Sequence, residues 1–481
     1  MSLQRPRLLI SATQKSSGKT TFSLGLLAHL VSKGMKVGAF KKGPDYIDPM
    51  WLKRASAKDC YNLDPFMMGG HGCLESFLIH SDPDQFSLIE GNHGLHDGVS
   101  LNGSDSSAGL AELLGVTVLL VLDSRGMNRG AAAVVLGMQK MKPRVNIAGV
   151  ILNRIRSKRQ EDKQRIAIEK HCGIPVLGAL REQGEMTIKE RHLGLTTVEE
   201  SSHVSQLLKD TADLVSTYCD VDAILELFNS AKPLPENAEF LFKQQVHSEK
   251  DVNQKRSEEA LEDSSGKQEF RLGVFRDAAF CFYYPDNLDA LKRQGAELIY
   301  IDALQDQILP DVDGLYLGGG FPESFLTELG ANQRLMKELR ERVKSGIPLY
   351  AECGGLIYLF EKTQYQGQEY PLTGIIEGTI GFQQSPFGTG YMKLESMHET
   401  PWFKKGQQIK AHEFHYSKPY GLASEQSCQF KVLRGFGVDG MHDGMLQKNI
   451  LASYSHIHSL STPEWARNFS DLSRKYQGGH G

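Results

Sequence analysis

Short apolar runs recur along the first third of the chain, separated by segments with helical spacing. RLLISA (7–12), KVGAFK (36–41), FSLIE (86–90), VTVLLVLD (116–123), IAGVILN (147–153) and IPVLGAL (174–180) are rich in Val, Ile and Leu. Continuous runs of this kind suit strands that are covered on both faces, as in parallel sheets. Between the first two runs, Leu24, Leu27 and Leu30 recur at helical spacing over Thr20 to Lys33, and Gly34 supplies a stop. The alternation predicts a doubly wound α/β domain with a mainly parallel sheet.

The pattern then breaks. Gln245 to Gln268 carries four apolar residues in 24 and cannot bury a core. Residues 241–269 therefore read as a linker between a domain over 1–240 and another over 270–481. Beyond the linker the alternation restarts with RLGVFRD (271–277), ELIYID (297–302), GLYLGGG (314–320), PLYAEC (348–353) and ILASYSH (450–456). These runs predict a second α/β domain that shares no motif with the first.

Composition narrows the function classes. A chain of 481 residues exceeds one hydrophobic core, and 40% hydrophobic with 23% charged residues is ordinary for a globular protein. A net charge of −4 with both signs scattered provides no basic footprint for nucleic acid. No run approaches the ~18 apolar residues of a membrane span. The start, MSLQRPRLLISATQ, leads straight into a strand and leaves no room for a signal peptide. Seven widely spaced cysteines without a C-x-x-C pair read as reduced thiols of a cytoplasmic protein.

SSGKTT (16–21) follows the first strand and opens the first helix, the context of a phosphate-binding loop. Gly18 and the backbone at the helix start would cradle phosphates, Lys19 would neutralise them, and Thr20, followed by Thr21, would hold Mg²⁺. Thr13 stands where the usual loop pattern has its first glycine. Four carboxylates, Asp45, Asp48, Glu90 and Asp97, lie just beyond the ends of neighbouring strands. Open α/β sheets bind ligands at that edge, and carboxylates so close repel unless a cation sits among them. Thr20, Asp48 and Glu90 form the expected Mg²⁺ ligand set beside ATP.

In the second half, PLYAECGGL (348–356) turns from a strand through Cys353 and Gly354 into a helix. Such a sharp turn exposes a nucleophile, and a helix start is expected to lower the thiol's pKa. Gly354, with Gly319 and Gly320 of LYLGGGFPES (315–324), would provide oxyanion donors. The base is expected to be His456 of ILASYSHIHSL (450–460), with His458 as its rival and His412 and His415 of KAHEFHYSK (410–418) as further candidates.

A P-loop domain joined to a cysteine-elbow domain suggests ATP-driven amidation with glutamine. Over nearly its whole length the chain resembles the cobyrinic acid a,c-diamide synthase family. The matching stretches include GPDYIDP (43–49), EGNHGLHDG (90–98), GVILNR (149–154), RHLGL (191–195), LYLGGGFPES, YAECGGL, HEFHYS and ASYSHIH. The resemblance implies a dethiobiotin-synthetase-like N-terminal domain and a class I glutamine amidotransferase-like C-terminal domain. It further implies ammonia release from L-glutamine at Cys353 and phosphorylation of a tetrapyrrole carboxylate by ATP beside Asp45, Asp48, Glu90 and Asp97. Asn153 would lie near the adenine. Class I amidotransferases place a Glu two residues after the His; here that residue is His458, so the sequence supports only a Cys353–His456 dyad. Departures such as Ala411, Asn92 and His93 leave cobyrinate and sirohaem both open as the macrocycle. A partition-type ATPase switch without glutaminase is the remote alternative. Neither nucleic acid nor membrane is an expected partner, and self-association stays open.

Overall fold

The computed structural model describes residues 4–142, 144–182, 203–234, 269–422 and 427–479. RHLGL and, save for Glu269, the linker expected over 241–269 lie outside them. The chain divides into two compact units, Met1–Ser257 and Glu258–Gly481.

The first unit is built from β1 (Arg7–Ala12), α1 (Lys19–Ser32), β2 (Val37–Lys42), α2 (Ile47–Ser56), β3 (Cys60–Leu63), α3 (Gly69–His80), β4 (Phe86–Glu90), α4 (Ser107–Leu114) and β5 (Thr117–Asp123). It continues through α5 (Gly130–Met141), β6 (Ile147–Ile155), α6 (Lys158–Cys172), β7 (Val176–Arg181), α7 (Val204–Tyr218) and α8 (Val221–Asn229). The strands form one seven-stranded parallel sheet in the order β3-β2-β4-β1-β5-β6-β7. Every residue of β1, β2 and β5 is buried, which explains their unbroken apolar character. All six expected strands are present. The extra one, β3, is four residues long with an asparagine at its third position, too short and polar to register as a run. β1 lies at the centre, where strand order reverses, so its C-terminal end opens onto the ligand edge of the sheet.

The second unit contains β8 (Phe270–Phe275), α9 (Pro285–Arg293), β9 (Ala296–Ile301), β10 (Gly314–Leu317), α10 (Leu326–Ala331), α11 (Gln333–Lys344), β11 (Leu349–Glu352) and α12 (Gly354–Leu359). Strands β12 (Phe360–Tyr365), β13 (Gln368–Pro371), β14 (Ile376–Phe382), β15 (Gly388–Ser396), β16 (Gln408–His415), β17 (Ser417–Tyr420) and β18 (Ser427–Arg434) follow. The unit ends with β19 (His442–Gln447), β20 (Ile450–Ser453), β21 (His456–Ile457) and α13 (Pro463–Gly478). The five expected strands form the parallel half, β20-β11-β10-β8-β9, of a ten-stranded sheet. The other half, β21-β16-β15-β18-β19, is antiparallel, and a separate four-stranded sheet runs β13-β12-β14-β17. β16 escapes the sequence pattern because it is buried on one side only: it alternates between exposed or half-buried and buried positions. Two apolar layers flank the large sheet, one around Leu315, Leu349 and Leu356, the other around Tyr316, Tyr350 and Trp465.

Candidate active sites

In the first unit the loop after β1 ends at Gly18, which caps α1 with φ 96°. A Cβ there would stand 2.1 Å from Nδ2 of Asn153, so only glycine fits. Asn153 itself donates from Nδ2 to the Ser17 carbonyl at 2.8 Å, and its Oδ1 accepts the Arg154 N–H. Its amide therefore braces the loop. Lys19 is buried at the helix start and donates to the His93 carbonyl at 2.7 Å. Burial first, and then the nearby Lys41 ammonium, push its pKa down to about 8. An anion at this helix start would reverse that shift. Thr20 Oγ1 donates to Glu90 Oε1 at 3.0 Å, and Thr21 is the next residue of the same turn.

Parallel register brings the acidic residues together. β4 lies between β1 and β2 with Glu90 level with both Ile10 and Lys41. Lys41 Nζ, almost wholly buried, donates to Glu90 Oε1 at 2.6 Å, forms a short contact with Asp48 Oδ2, and lies 3.9 Å from Asp45 Oδ2. One cation among these carboxylates is thus supplied by the chain itself. Burial disfavours the Lys41 charge, but Asp48, Glu90 and Asp45 outweigh it and raise the pKa. Burial also opposes ionisation of Asp48, yet the Lys41 charge and hydrogen bond hold its pKa below the usual carboxylate range. Glu90 is raised by burial despite Lys41. Asp45 is pushed up to about 7, by burial and then by the Asp48 charge. Its Oδ1 meanwhile accepts the N–H groups of Ile47 and Asp48 and so orders the start of α2. Asp97 Oδ2 accepts the Gly94 N–H at 2.9 Å, close enough for its charge to act on Lys19.

The second unit's centre forms where β11 ends. Cys353 adopts φ 46°, ψ −100°, a strained elbow for a side chain with a Cβ, and its N–H donates to the Ser453 carbonyl at 2.7 Å. Its Sγ lies 3.7 Å from the Phe414 carbonyl. A Cβ on Gly354 would stand 3.0 Å from the Gly320 nitrogen, and one on Gly319 would stand 2.6 Å from Cε1 of His456. The triple glycine therefore lets nucleophile turn, donor strand and imidazole converge. Burial, followed by the Glu323 charge, raises the Cys353 pKa, and the Gly354 N–H only partly opposes them. The expectation that a helix start would lower it is corrected: α12 has six residues, and desolvation of a buried sulfur outweighs its dipole.

His456 Nδ1 bonds Glu352 Oε2 at 3.1 Å. Glu352 also accepts Tyr350 Oη at 2.9 Å, Tyr316 Oη at 3.3 Å and the Ile457 N–H at 3.3 Å. A carboxylate does stand behind the histidine, one residue before the nucleophile rather than two after the base. Its signal was a charged residue at the end of the apolar strand PLYAE; Lys41 carried the same signal at the end of AFKK. His458 is turned toward Asp286, 3.4 Å away, and packs on Tyr284. His415 is buried among Glu413, the Ser417 carbonyl and the Tyr454 ring. Neither rival adjoins Glu352 as His456 does.

Residues 8–195 match the CobQ/CobB/MinD/ParA nucleotide binding domain family, and residues 271–464 match the CobB/CobQ-like glutamine amidotransferase domain family. A cobyrinate a,c-diamide synthase of Magnetococcus marinus is 43% identical over 96% of both chains. Those of Archaeoglobus fulgidus (38% identical, 96% of both chains) and Dehalococcoides mccartyi strain 195 (37%, 98% of this chain and 99% of the other) are likewise similar end to end. The chain belongs to the cobyrinate a,c-diamide synthase family. Both family matches fall on the α/β units described above, the first on the P-loop and carboxylate cluster, the second on the cysteine elbow. Among the described residues no helix is long and apolar enough to cross a membrane.

Proposed function

We propose that this chain is an ATP- and glutamine-dependent amide ligase that converts the a and c acetate carboxylates of cobyrinate into amides. The main support is full-length similarity to cobyrinate a,c-diamide synthases in a chain that carries both reaction centres. In the second unit, Cys353 attacks the side-chain amide of glutamine while His456 takes the thiol proton. Glu352 holds the imidazole with Nδ1–H toward itself, which leaves Nε2 as the acceptor. Because the thiol pKa is raised, proton removal accompanies attack instead of preceding it. Gly320 and Gly354 N–H groups stabilise the oxyanion, and His456 returns the proton to the departing nitrogen. Ammonia leaves, and water later hydrolyses the glutamyl thioester.

In the first unit, Lys19 and the N–H groups that open α1 would bind the ATP phosphates, and Asn153 keeps the loop in shape. Glu90 Oε2 is buried without a hydrogen-bond partner among the described residues, and the Thr20 hydroxyl lies beside the same carboxylate. Hard oxygen donors so placed fit Mg²⁺, which would be held by Thr20 and Glu90, with Asp48 close by, and would screen the phosphate charge. A substrate carboxylate oxygen attacks the γ-phosphate and releases ADP. Lys41 lets that anion approach Asp45, Asp48 and Asp97 without meeting a bare field of negative charge. Ammonia then displaces phosphate from the acyl phosphate.

The test is to incubate the purified chain with ATP, Mg²⁺ and glutamine, offering cobyrinic acid and sirohaem separately, and to follow substrate mass. Two successive carboxylate-to-amide shifts on cobyrinic acid are expected. Cys353→Ala should abolish them with glutamine, by about 10⁴-fold or more, and retain them with free ammonia. Shifts on sirohaem alone would replace the substrate, and ATP turnover without any glutaminase would return the chain to a switch-type ATPase.

A further inference from the structure

His412 belongs to none of the hydrogen-bond networks described above. It stands on β16, level with His456 of β21 on one side and Tyr391 of β15 on the other. Three side chains thus line up across three adjacent strands, since residues in register share a face. The His412 and His456 rings are 6.4 Å apart and tilted by 27°, and the Tyr391 ring meets His412 edge-on at 6.1 Å. Two residues along the same strand, the Phe414 carbonyl faces the Cys353 sulfur. His412 therefore borders the base, on the strand whose Phe414 carbonyl faces the thiol.

Its Nδ1 is sealed from solvent and has no partner among the described residues. A buried, unanswered ring nitrogen costs free energy, because its water is stripped and nothing replaces it. Beside a reaction centre, that cost points to a ligand atom that arrives during the reaction. We propose that His412 receives the ammonia released at Cys353, accepting one of its N–H groups and guiding it along the row toward Tyr391. This rests on the glutaminase reading above.

The chemistry requires such a residue to be inert toward protons. Ammonia is nucleophilic only while its lone pair is free, so an acidic neighbour would convert it to unreactive ammonium. Burial, and then the proximity of His456, push the His412 pKa down to about 3. The ring therefore stays neutral near pH 7, able to hydrogen-bond ammonia without protonating it. Glu413 and His415, its neighbours on β16, are committed elsewhere: Glu413 to the N–H groups of Phe436 and Gly437, His415 to the Ser417 carbonyl. No bond beyond those of the glutaminase cycle forms or breaks here.

The test compares glutamate and amide formed by the full chain with ATP, Mg²⁺, glutamine and cobyrinic acid. His412→Phe should continue to hydrolyse glutamine while amide formed per glutamate falls about three- to tenfold, the value of one hydrogen bond. Amidation driven by added ammonia should match that of the unmodified chain. His412→Gln, a neutral donor and acceptor, should restore most of the ratio. An unchanged ratio in His412→Phe, or loss of glutaminase with the ratio preserved, would overturn the proposal; the latter would make His412 a support for His456. Failure of the unmodified chain to release glutamate would instead remove the glutaminase reading.

Discussion

In the N-terminal unit a buried lysine stands among three carboxylates; in the C-terminal unit a buried carboxylate stands among a histidine and two tyrosines. Both arrangements lie at the ends of parallel strands, and both place one charge where water cannot screen it. Their purposes differ. Lys41 sits within the face where anionic reactants must meet, and its charge cancels part of the negative field of the site. Glu352 sits behind His456 and, in the proposed glutaminase reaction, acts through it. The first centre thus shifts its ionisable groups in both directions, raising Asp45 and Glu90 and lowering Asp48, whereas in the second burial raises the thiol. A carboxylate to be phosphorylated needs a compensated site, and a thiol that attacks an uncharged amide needs only a base held in the correct tautomer.

Glu352→Gln should have the largest effect. The amide can donate to Nδ1 and turn the imidazole so that Nε2 carries the proton, which removes the base. Glutaminase kcat should fall about 10³–10⁴-fold with little change in KM, while ammonia-driven amidation persists. A fall below tenfold would mean that Glu352 is structural and that the contrast between the two centres is false.

Lys41→Met tests the other side. Removing the ammonium leaves Asp48 and Glu90 without their buried cation, a loss of about 3–5 kcal/mol at neutral pH. Urea unfolding of the ligand-free chain should show it in the transition of the N-terminal unit. The deficit should shrink as pH falls, because protonated carboxyls no longer need the cation. A loss independent of pH would point to packing.

Asp45→Asn is the smallest and sharpens the comparison most. With its folded pKa near 7 against an ordinary value of 3.8, Asp45 resists ionisation in the folded state. Its contribution to stability is favourable at pH 4 and is lost as pH rises toward 7. Asparagine can still accept the N–H groups of Ile47 and Asp48. The variant should therefore be more stable than the parent at pH 8, and the gain should vanish near pH 4, as read from thermal melts across that range. An equal effect at both ends would remove the coupling with Asp48.

Much of this architecture can be read from local pattern. Buried parallel strands such as β1 and β5 announce themselves as unbroken apolar runs, because helices cover both faces. The glycines at 18, 319, 320 and 354 and the polar residues beside them mark both centres for the same reason: tight turns and close approach restrict residue choice locally. One-sided strands such as β14 and β16 were not legible, since their burial depends on what packs against a single face, and β3 is too short to register. The partners of the marked residues were not legible either. Lys41 meets Glu90 because β2 and β4 are neighbours in parallel register, 49 positions apart in sequence. Glu352 meets His456 across 104 positions, where β20 aligns with β11 and the chain then turns back into β21. A carboxylate and its cation attract over a few ångströms of space, whatever the length of chain between them. Motif and spacing therefore name the candidate reacting groups, and strand register chooses the charges beside them.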